Sequence, residues 1–117
     1  ESPHHGLNLC LGSMMENLEN PNVEIHEVIR YFGNKQRIFN IHFRNIRGQR
    51  DDFMEVWQDE GDVNLIEMAR LLWEVDYPYM LMPDHVPEMA GDNPRMVGFA
   101  YTYGYIKAVI EAVTRSN

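Results

Sequence analysis

The sequence predicts an α/β fold, because three short apolar strands alternate with three amphipathic helices along its 117 residues. This alternation is typical of parallel strands that are connected through helices. In addition, the polar residues that could carry chemistry lie at the C-terminal ends of the strands, where α/β folds place their active sites. The length fits a single unit over residues 1–117, since two full domains would need a longer chain.

The first strand and helix come from the opening third of the chain. Apolar and polar residues alternate over Leu7–Cys10 before Gly12 and Ser13, which predicts a strand. A helix follows the breaker at Pro21, and Gly33 stands where a C-terminal cap is expected. The apolar positions of this helix recur at helical spacing, at Ile25, Val28, Ile29 and Phe32.

The second strand is predicted at residues 37–44, where the alternation separates an apolar face from a polar one. The apolar face consists of Phe39, Ile41 and Phe43, and the polar face of Asn40, His42 and Arg44. Residues 45–61 are polar, and we expect a loop there with a short helical turn at residues 53–57.

The last third of the chain predicts a second helix, a third strand and a third helix. Asp62 is expected to cap the second helix, whose apolar face is Leu65, Met68, Ala69 and Leu72. The third strand spans residues 79–82 and ends at Pro83, which Asp84 and His85 follow. A loop at residues 86–96 leads to a helix with a buried side formed by Ile106, Val109, Ile110 and Val113.

Composition argues against two classes of partner. The chain has 18 acidic and 10 basic residues, and its net charge of -8 repels nucleic-acid phosphates and anionic membrane surfaces. No apolar stretch approaches the ~20 residues that cross a bilayer. The single cysteine cannot form an internal disulfide bond, which favours a cytoplasmic location.

Three candidate metal ligands lie at the C-terminal ends of successive strands: Cys10, His42 and Asp84. A thiolate, an imidazole and a carboxylate can together coordinate a divalent cation. Each residue also has a purely structural interpretation. The cysteine could be a small buried hydrophobe, the histidine a hydrogen-bonded strand residue, and the aspartate the cap of a turn.

Three further residues are candidates for contact with a substrate. His85 could act as a general acid or base, because an imidazole gains and loses a proton near neutral pH. Asp84 and His85 reach one site only if Pro83 or the following turn redirects the chain. Arg44 shares a face with His42 and could hold a substrate carboxylate, although a solvated arginine is an equal alternative. Asn8 shares a face with Cys10 and is a candidate for substrate binding.

Four segments, in order and at similar separations, resemble the C-terminal part of mannonate dehydratase, and the resemblance runs over nearly the whole chain. The segments are NLCLGS at residues 8–13, IHFRNI at 41–46, DEGDV at 59–63 and MPDH at 82–85. That family is a metal-dependent (β/α)₈ barrel of the xylose-isomerase-like type. It is a carbon–oxygen lyase of glucuronate catabolism, which dehydrates D-mannonate to 2-keto-3-deoxy-D-gluconate.

The resemblance implies roles for the candidate residues other than Asn8. It implies that Cys10, His42 and Asp84 bind Mn²⁺ or Fe²⁺, that His85 is a catalytic acid or base, and that Arg44 lies in the substrate region. A complete barrel takes about 250 residues, so the chain would supply three βα units, about the sixth to the eighth. Its partners would be a small acid sugar and either the remainder of the barrel or further copies in a homo-oligomer.

Two other functions remain open from the sequence. The chain could be a non-catalytic barrel fragment or an assembly partner. It could also belong to a metal-dependent sugar isomerase or a phosphodiesterase on the same scaffold, although Arg44 suits an acid sugar better than a neutral one. The family carries a second acid/base tyrosine in the loop after the Asp-His pair, and the shorter loop at residues 93–98 here has no matching tyrosine.

Overall fold

The computed structural model describes residues 2–115, which form both strands and helices. The elements are, in chain order, β1 (Leu7–Cys10), α1 (Leu11–Met15), α2 (Pro21–Gly33), β2 (Ile38–His42), β3 (Ile46–Gln49), β4 (Asp52–Glu55), α3 (Leu65–Glu74), β5 (Leu81–Met82) and α4 (Pro94–Arg115). Three strands form a parallel sheet in the order β1–β2–β5, and β3 pairs with β4 in a separate antiparallel hairpin. The predicted α/β class with a parallel sheet is confirmed.

The register of the sheet brings the ends of its strands level. Cys10 of β1 pairs with His42 of β2, and His42 pairs with Met82 of β5. Parallel strands all present their carboxyl ends at the same edge, so the residues that leave these strands enter one region. That region contains every candidate residue named above.

The core lies where the sheet meets α2, α3 and α4, and apolar side chains at helical spacing fill it. Its members include Leu9, Ile25, Ile29, Ile41, Phe43, Leu65, Met68, Leu72, Ile106, Val109 and Val113. Each fully buried side chain of this size contributes roughly 1.5–3 kcal/mol. The predicted apolar face of α3 is confirmed. Ile110 of α4 was expected to be buried and is exposed, because it lies just beyond the stripe that packs on the core.

The largest error of the sequence prediction is the segment after β2. The helical turn expected at residues 53–57 is wrong, since β4 occupies most of that stretch and pairs with β3. Gly48 has a φ of 112°, and a Cβ added there would lie 2.2 Å from the carbonyl oxygen of Asp52. A glycine is therefore required for the two strands to approach one another.

Several element ends also differ from those predicted. Asn64, rather than Asp62, caps α3, and its side chain accepts hydrogen bonds from the backbone N–H groups of Ile66 and Glu67. Asp62 is engaged elsewhere, as an acceptor for the N–H of Gly48. Gly33 is the last residue of α2 instead of its cap. The second and third strands are shorter than expected, and α4 begins at Pro94, inside the stretch predicted as a loop.

In the described part of the chain, no helix combines the length and the apolar character that crossing a membrane requires.

Candidate functional site

Three candidate ligand side chains meet at the carboxyl edge of the sheet. One ligand atom each from Cys10, His42 and Asp84 lies within 4.8 Å of the other two. Cys10 and His42 end neighbouring strands, and Asp84 stands two residues beyond β5. Ligands at ~2.0–2.3 Å from a common cation lie at most about 4.6 Å apart, and closer than that in a tetrahedral site, so the three side chains would draw together to coordinate one ion. Sulfur, nitrogen and oxygen donors together suit a divalent first-row metal.

Cys10 reaches this cluster because α1 begins immediately after β1. The residue is the N-cap of α1, in an extended conformation, and its Sγ accepts a hydrogen bond from the N–H of Ser13 at 3.5 Å. Cys10 is half-buried. It is therefore not the fully buried hydrophobe that was the alternative interpretation, and its sulfur has one side open to the cluster.

His42 is held by a side chain at each ring nitrogen. Nδ1 lies 3.0 Å from Asp84 Oδ2, and Nε2 lies 3.2 Å from Asn8 Nδ2. Asn40 Nδ2 donates to Asn8 Oδ1 at 2.9 Å, so the asparagine amide is oriented with its nitrogen towards the histidine. Asn8 thus lies beside the cluster as expected. Asn40 was not a predicted site residue, although its place on the polar face of β2 was a usable signal.

Asp84 and His85 reach the same site, because the chain has already left β5 at Pro83. Asp84 Oδ2 lies 3.0 Å from His42 Nδ1 and 2.8 Å from His85 Nε2, so one carboxylate oxygen contacts two imidazoles. The condition set by the sequence, that the turn redirects one of the two side chains, is met. The rings of His42 and His85 therefore both contact the carboxylate of Asp84.

Arg44 is buried and fully engaged, so the solvated alternative is wrong. It is 3% exposed, and its guanidinium binds Glu55 through Nε and Nη2 and Glu16 through Nη1. Burial alone would lower the pKa of Arg44, but the hydrogen bonds and charge of Glu55, and then of Glu16, outweigh it and raise that pKa. A Cβ on Gly12 would lie 2.5 Å from Arg44 Cδ, so the glycine leaves room for the buried side chain.

The sequence prediction missed Glu16 and Glu55, which hold this guanidinium. Glu55 ends β4, inside the segment predicted as a loop, and its Oε2 lies 3.5 Å from His85 Nδ1. Both carboxylates are distant from Arg44 along the chain, so no spacing rule connects them to it. Only the β3–β4 hairpin could have indicated Glu55, and the sequence pattern predicts a loop there instead.

The whole chain, residues 1–117, matches the family model described as D-mannonate dehydratase (UxuA). Mannonate dehydratase 2 of Halalkalibacterium halodurans is 32% identical over 122 residues, which cover 97% of this chain and 34% of that protein. The mannonate dehydratase of Thermotoga neapolitana is 32% identical over 123 residues, with 98% of this chain and 33% of that protein covered.

A solved structure agrees with these sequence matches. The crystal structure of mannonate dehydratase from Streptococcus suis serotype 2 superimposes with a TM-score of 0.82 at 26% identity, over 98% of this chain and 34% of that one. The chain thus spans about a third of the length of the relatives it matches. Since the family model covers every residue, the chain belongs to the D-mannonate dehydratase family.

Proposed function

We propose that this chain supplies part of the active site of an enzyme that dehydrates D-mannonate to 2-keto-3-deoxy-D-gluconate. The observation that carries the proposal is the meeting of Cys10, His42 and Asp84 beside His85, on strand ends of a chain that belongs to this family. The reaction removes a proton from C2 and a hydroxide from C3, so it needs a base, a proton donor and positive charge near the substrate oxygens.

The chain is proposed to form the last three βα units of a (β/α)₈ barrel. Three parallel strands, each followed by a helix, support this arrangement. In the order β1–β2–β5, the strands β1 and β5 each have one edge without a partner strand in the described residues. Such edges expose backbone donors and acceptors, and the remainder of the barrel would pair with them. A homo-oligomer of the complete protein is a further proposal.

The cluster fits a divalent metal, and we assign Cys10, His42 and Asp84 as ligands of Mn²⁺ or Fe²⁺. The fit rests on the donor set and on the 4.8 Å limit between its atoms. When bound, the metal would supply positive charge that stabilises the negative charge developing on substrate oxygen.

His85 is proposed to exchange the proton at Nε2. The proton at C2 lies next to a carboxylate and is only weakly acidic, so a base must be held in a fixed place to remove it. Nε2 contacts Asp84, a member of the cluster, at 2.8 Å, whereas Nδ1 contacts Glu55, which is not a member, at 3.5 Å. Nε2 is therefore the nitrogen that a substrate bound at the cluster would meet.

Asn8 and Arg44 are proposed to lie in the substrate region, with different freedom to bind. Asn8 is exposed beside His42, and its amide could turn to a substrate hydroxyl. Arg44 must release Glu16 or Glu55 before its guanidinium can receive a carboxylate. Direct binding of a substrate by Arg44 therefore costs the free energy of an ion pair, whereas binding by Asn8 does not.

The proposal is tested in the full-length protein that contains this chain, loaded with Mn²⁺. We expect wild type to convert D-mannonate to a product lighter by one water, as read by mass spectrometry. A product of unchanged mass would indicate an isomerase, and no product would refute the dehydratase proposal.

Two substitutions then separate the assigned roles. His42→Ala should lower bound metal, and stoichiometric metal in that variant would remove His42 from the ligand set. His85→Asn should keep its metal but lose turnover by roughly 10²-fold or more. His5→Asn is the matched control, because His5 precedes β1 and lies away from the edge where the candidates meet.

A further inference from the structure

We infer that Glu55 is a positioning residue for His85. The carboxylate of Glu55 holds the Nδ1 side of the His85 ring so that Nε2 faces the candidate metal site. The inference rests on the proposed function, because it gives a partner to the proposed acid or base. It also gives the β3–β4 hairpin a task at the site, since Glu55 is the last residue of that hairpin.

The ring of His85 has a carboxylate at each nitrogen. Nδ1 lies 3.5 Å from Glu55 Oε2, and Nε2 lies 2.8 Å from Asp84 Oδ2. The side chain is 43% exposed, so packing constrains its orientation only in part and polar contacts contribute to it. A contact at each ring nitrogen fixes how the ring is turned. The Glu55 carboxylate on the Nδ1 side therefore favours the orientation in which Nε2 lies against Asp84.

Glu55 can serve as a fixed acceptor because Arg44 holds it in two places. Nη2 of Arg44 donates to Oε2 at 2.7 Å, and Nε donates to Oε1 at 3.0 Å. A two-point contact between a guanidinium and a carboxylate fixes both distance and angle. Arg44 is itself immobilised by burial and by Glu16, which its Nη1 contacts at 2.6 Å. Through Glu55, the orientation of the exposed His85 ring is thereby connected to the buried guanidinium of Arg44.

The backbone of His85 is attached to the same segment of the chain. Gln58 Nε2 donates to the carbonyl oxygen of His85 at 3.4 Å, and Thr102 Oγ1 of α4 donates to Gln58 Oε1 at 3.0 Å. Gln58 and Thr102 are both buried. The residues that leave the hairpin thus hold the main chain of His85, while Glu55 holds its ring. Two independent contacts from one segment argue that the hairpin orients this residue.

Kinetics of the full-length enzyme provide the first test. Glu55→Gln should lower kcat for D-mannonate about 10–100-fold, the usual effect of losing the partner of a functional side chain, with KM and metal content unchanged. Glu55→Asp withdraws the carboxylate from His85 while keeping its charge near Arg44, and it should lower kcat as well.

The double variant tests whether Glu55 acts through His85. In a His85→Asn background, Glu55→Gln should then cause no further loss of kcat. If the double variant instead loses kcat by the product of the two single losses, the inference is overturned.

Glu16→Gln is the matched control, because Glu16 binds the same guanidinium from the end of α1. It should reduce kcat far less than Glu55→Gln does. Equal losses would mean that both carboxylates act by stabilising Arg44, and this would overturn the inference. Glu19→Gln, at an exposed ion pair with Arg50, should leave kcat unchanged.

A second readout does not depend on turnover. In metal-free, ¹⁵N-histidine-labelled full-length protein, the ring signals of His85 are assigned by their loss in His85→Asn. They should shift in Glu55→Gln and Glu55→Asp but not in Glu16→Gln, and unmoved signals in the Glu55 variants would overturn the inference. If wild type does not dehydrate D-mannonate, the proposed function fails while this measurement still decides whether Glu55 positions His85.

Discussion

Replacing Arg44 with methionine should destabilise the protein by about 3 kcal/mol. Methionine fills similar space, so the main loss is the charge that Glu16 and Glu55 face. Removing one partner of a buried ion pair typically costs 3–5 kcal/mol, because the other charge stays buried without compensation. The two carboxylate side chains are 23% and 29% exposed, so partial hydration brings the expected cost to the lower end, about 3 kcal/mol.

The chain contains a matched control for this effect. Arg50 and Glu19 form an ion pair of similar length, 2.8 Å, but their side chains are 48% and 78% exposed. Exposed pairs of this kind contribute ~0–1 kcal/mol. Arg50→Met should therefore lower the free energy of unfolding by less than about 1 kcal/mol.

Urea unfolding of the full-length protein, followed by circular dichroism and by tryptophan fluorescence, measures both variants. Adding Glu16→Gln and Glu55→Gln to Arg44→Met should restore part of the loss, since it removes the uncompensated charges. Equal destabilisation by Arg44→Met and Arg50→Met would refute the reasoning, because Arg44 is buried against two carboxylates and Arg50 is exposed beside one. A triple variant no more stable than Arg44→Met would refute it as well.

Two further predictions concern side-chain hydroxyl groups, of which that of Thr102 is buried and that of Tyr77 belongs to a half-buried residue. Thr102→Val should lower the free energy of unfolding by about 1–3 kcal/mol in urea, because the buried Gln58 Oε1 loses its donor, whereas Thr102→Ser should lose less. Burial raises the pKa of Tyr77 from 10.0 to about 12, so its neutral form contributes stability that is present below pH 10 and lost as the pH rises towards 12. Tyr77→Phe should therefore reduce the fall in stability between pH 9 and pH 11.

Each of these two has an outcome that contradicts it. If Thr102→Val and Thr102→Ser unfold at the same urea concentration, the hydroxyl does not support Gln58. If Tyr77→Phe loses as much stability as wild type between the two pH values, ionisation of Tyr77 does not contribute to the alkaline loss.

The sequence predicted those parts of the fold that depend on local patterning. The side chains that enter the core determine the alternation over Leu7–Cys10 and the helical spacing from Leu65 to Leu72. Both patterns can therefore be recognised in the amino-acid sequence. The meeting of Cys10, His42 and Asp84 was also predictable, because parallel strands end at one edge whatever the intervening chain does.

The hairpin could not be predicted in the same way. Phe53 and Met54 of β4 are both exposed, so burial imposes no alternation on that strand. The helix cap shows a second reason. Asp62 and Asn64 are both good capping residues, and the choice between them depends on the hairpin, which occupies Asp62 through the N–H of Gly48. Contacts between distant segments decided both features.

The sharing of Asp84 Oδ2 between His42 and His85 has a consequence for how this site can diverge. A change to glutamate lengthens the side chain by one methylene, and a single oxygen then has to satisfy two rings from a new position. Both rings would have to move together, so single steps at Asp84 should be poorly tolerated. Divergence towards another substrate should instead begin at Asn8, which is exposed and can change without disturbing that shared oxygen.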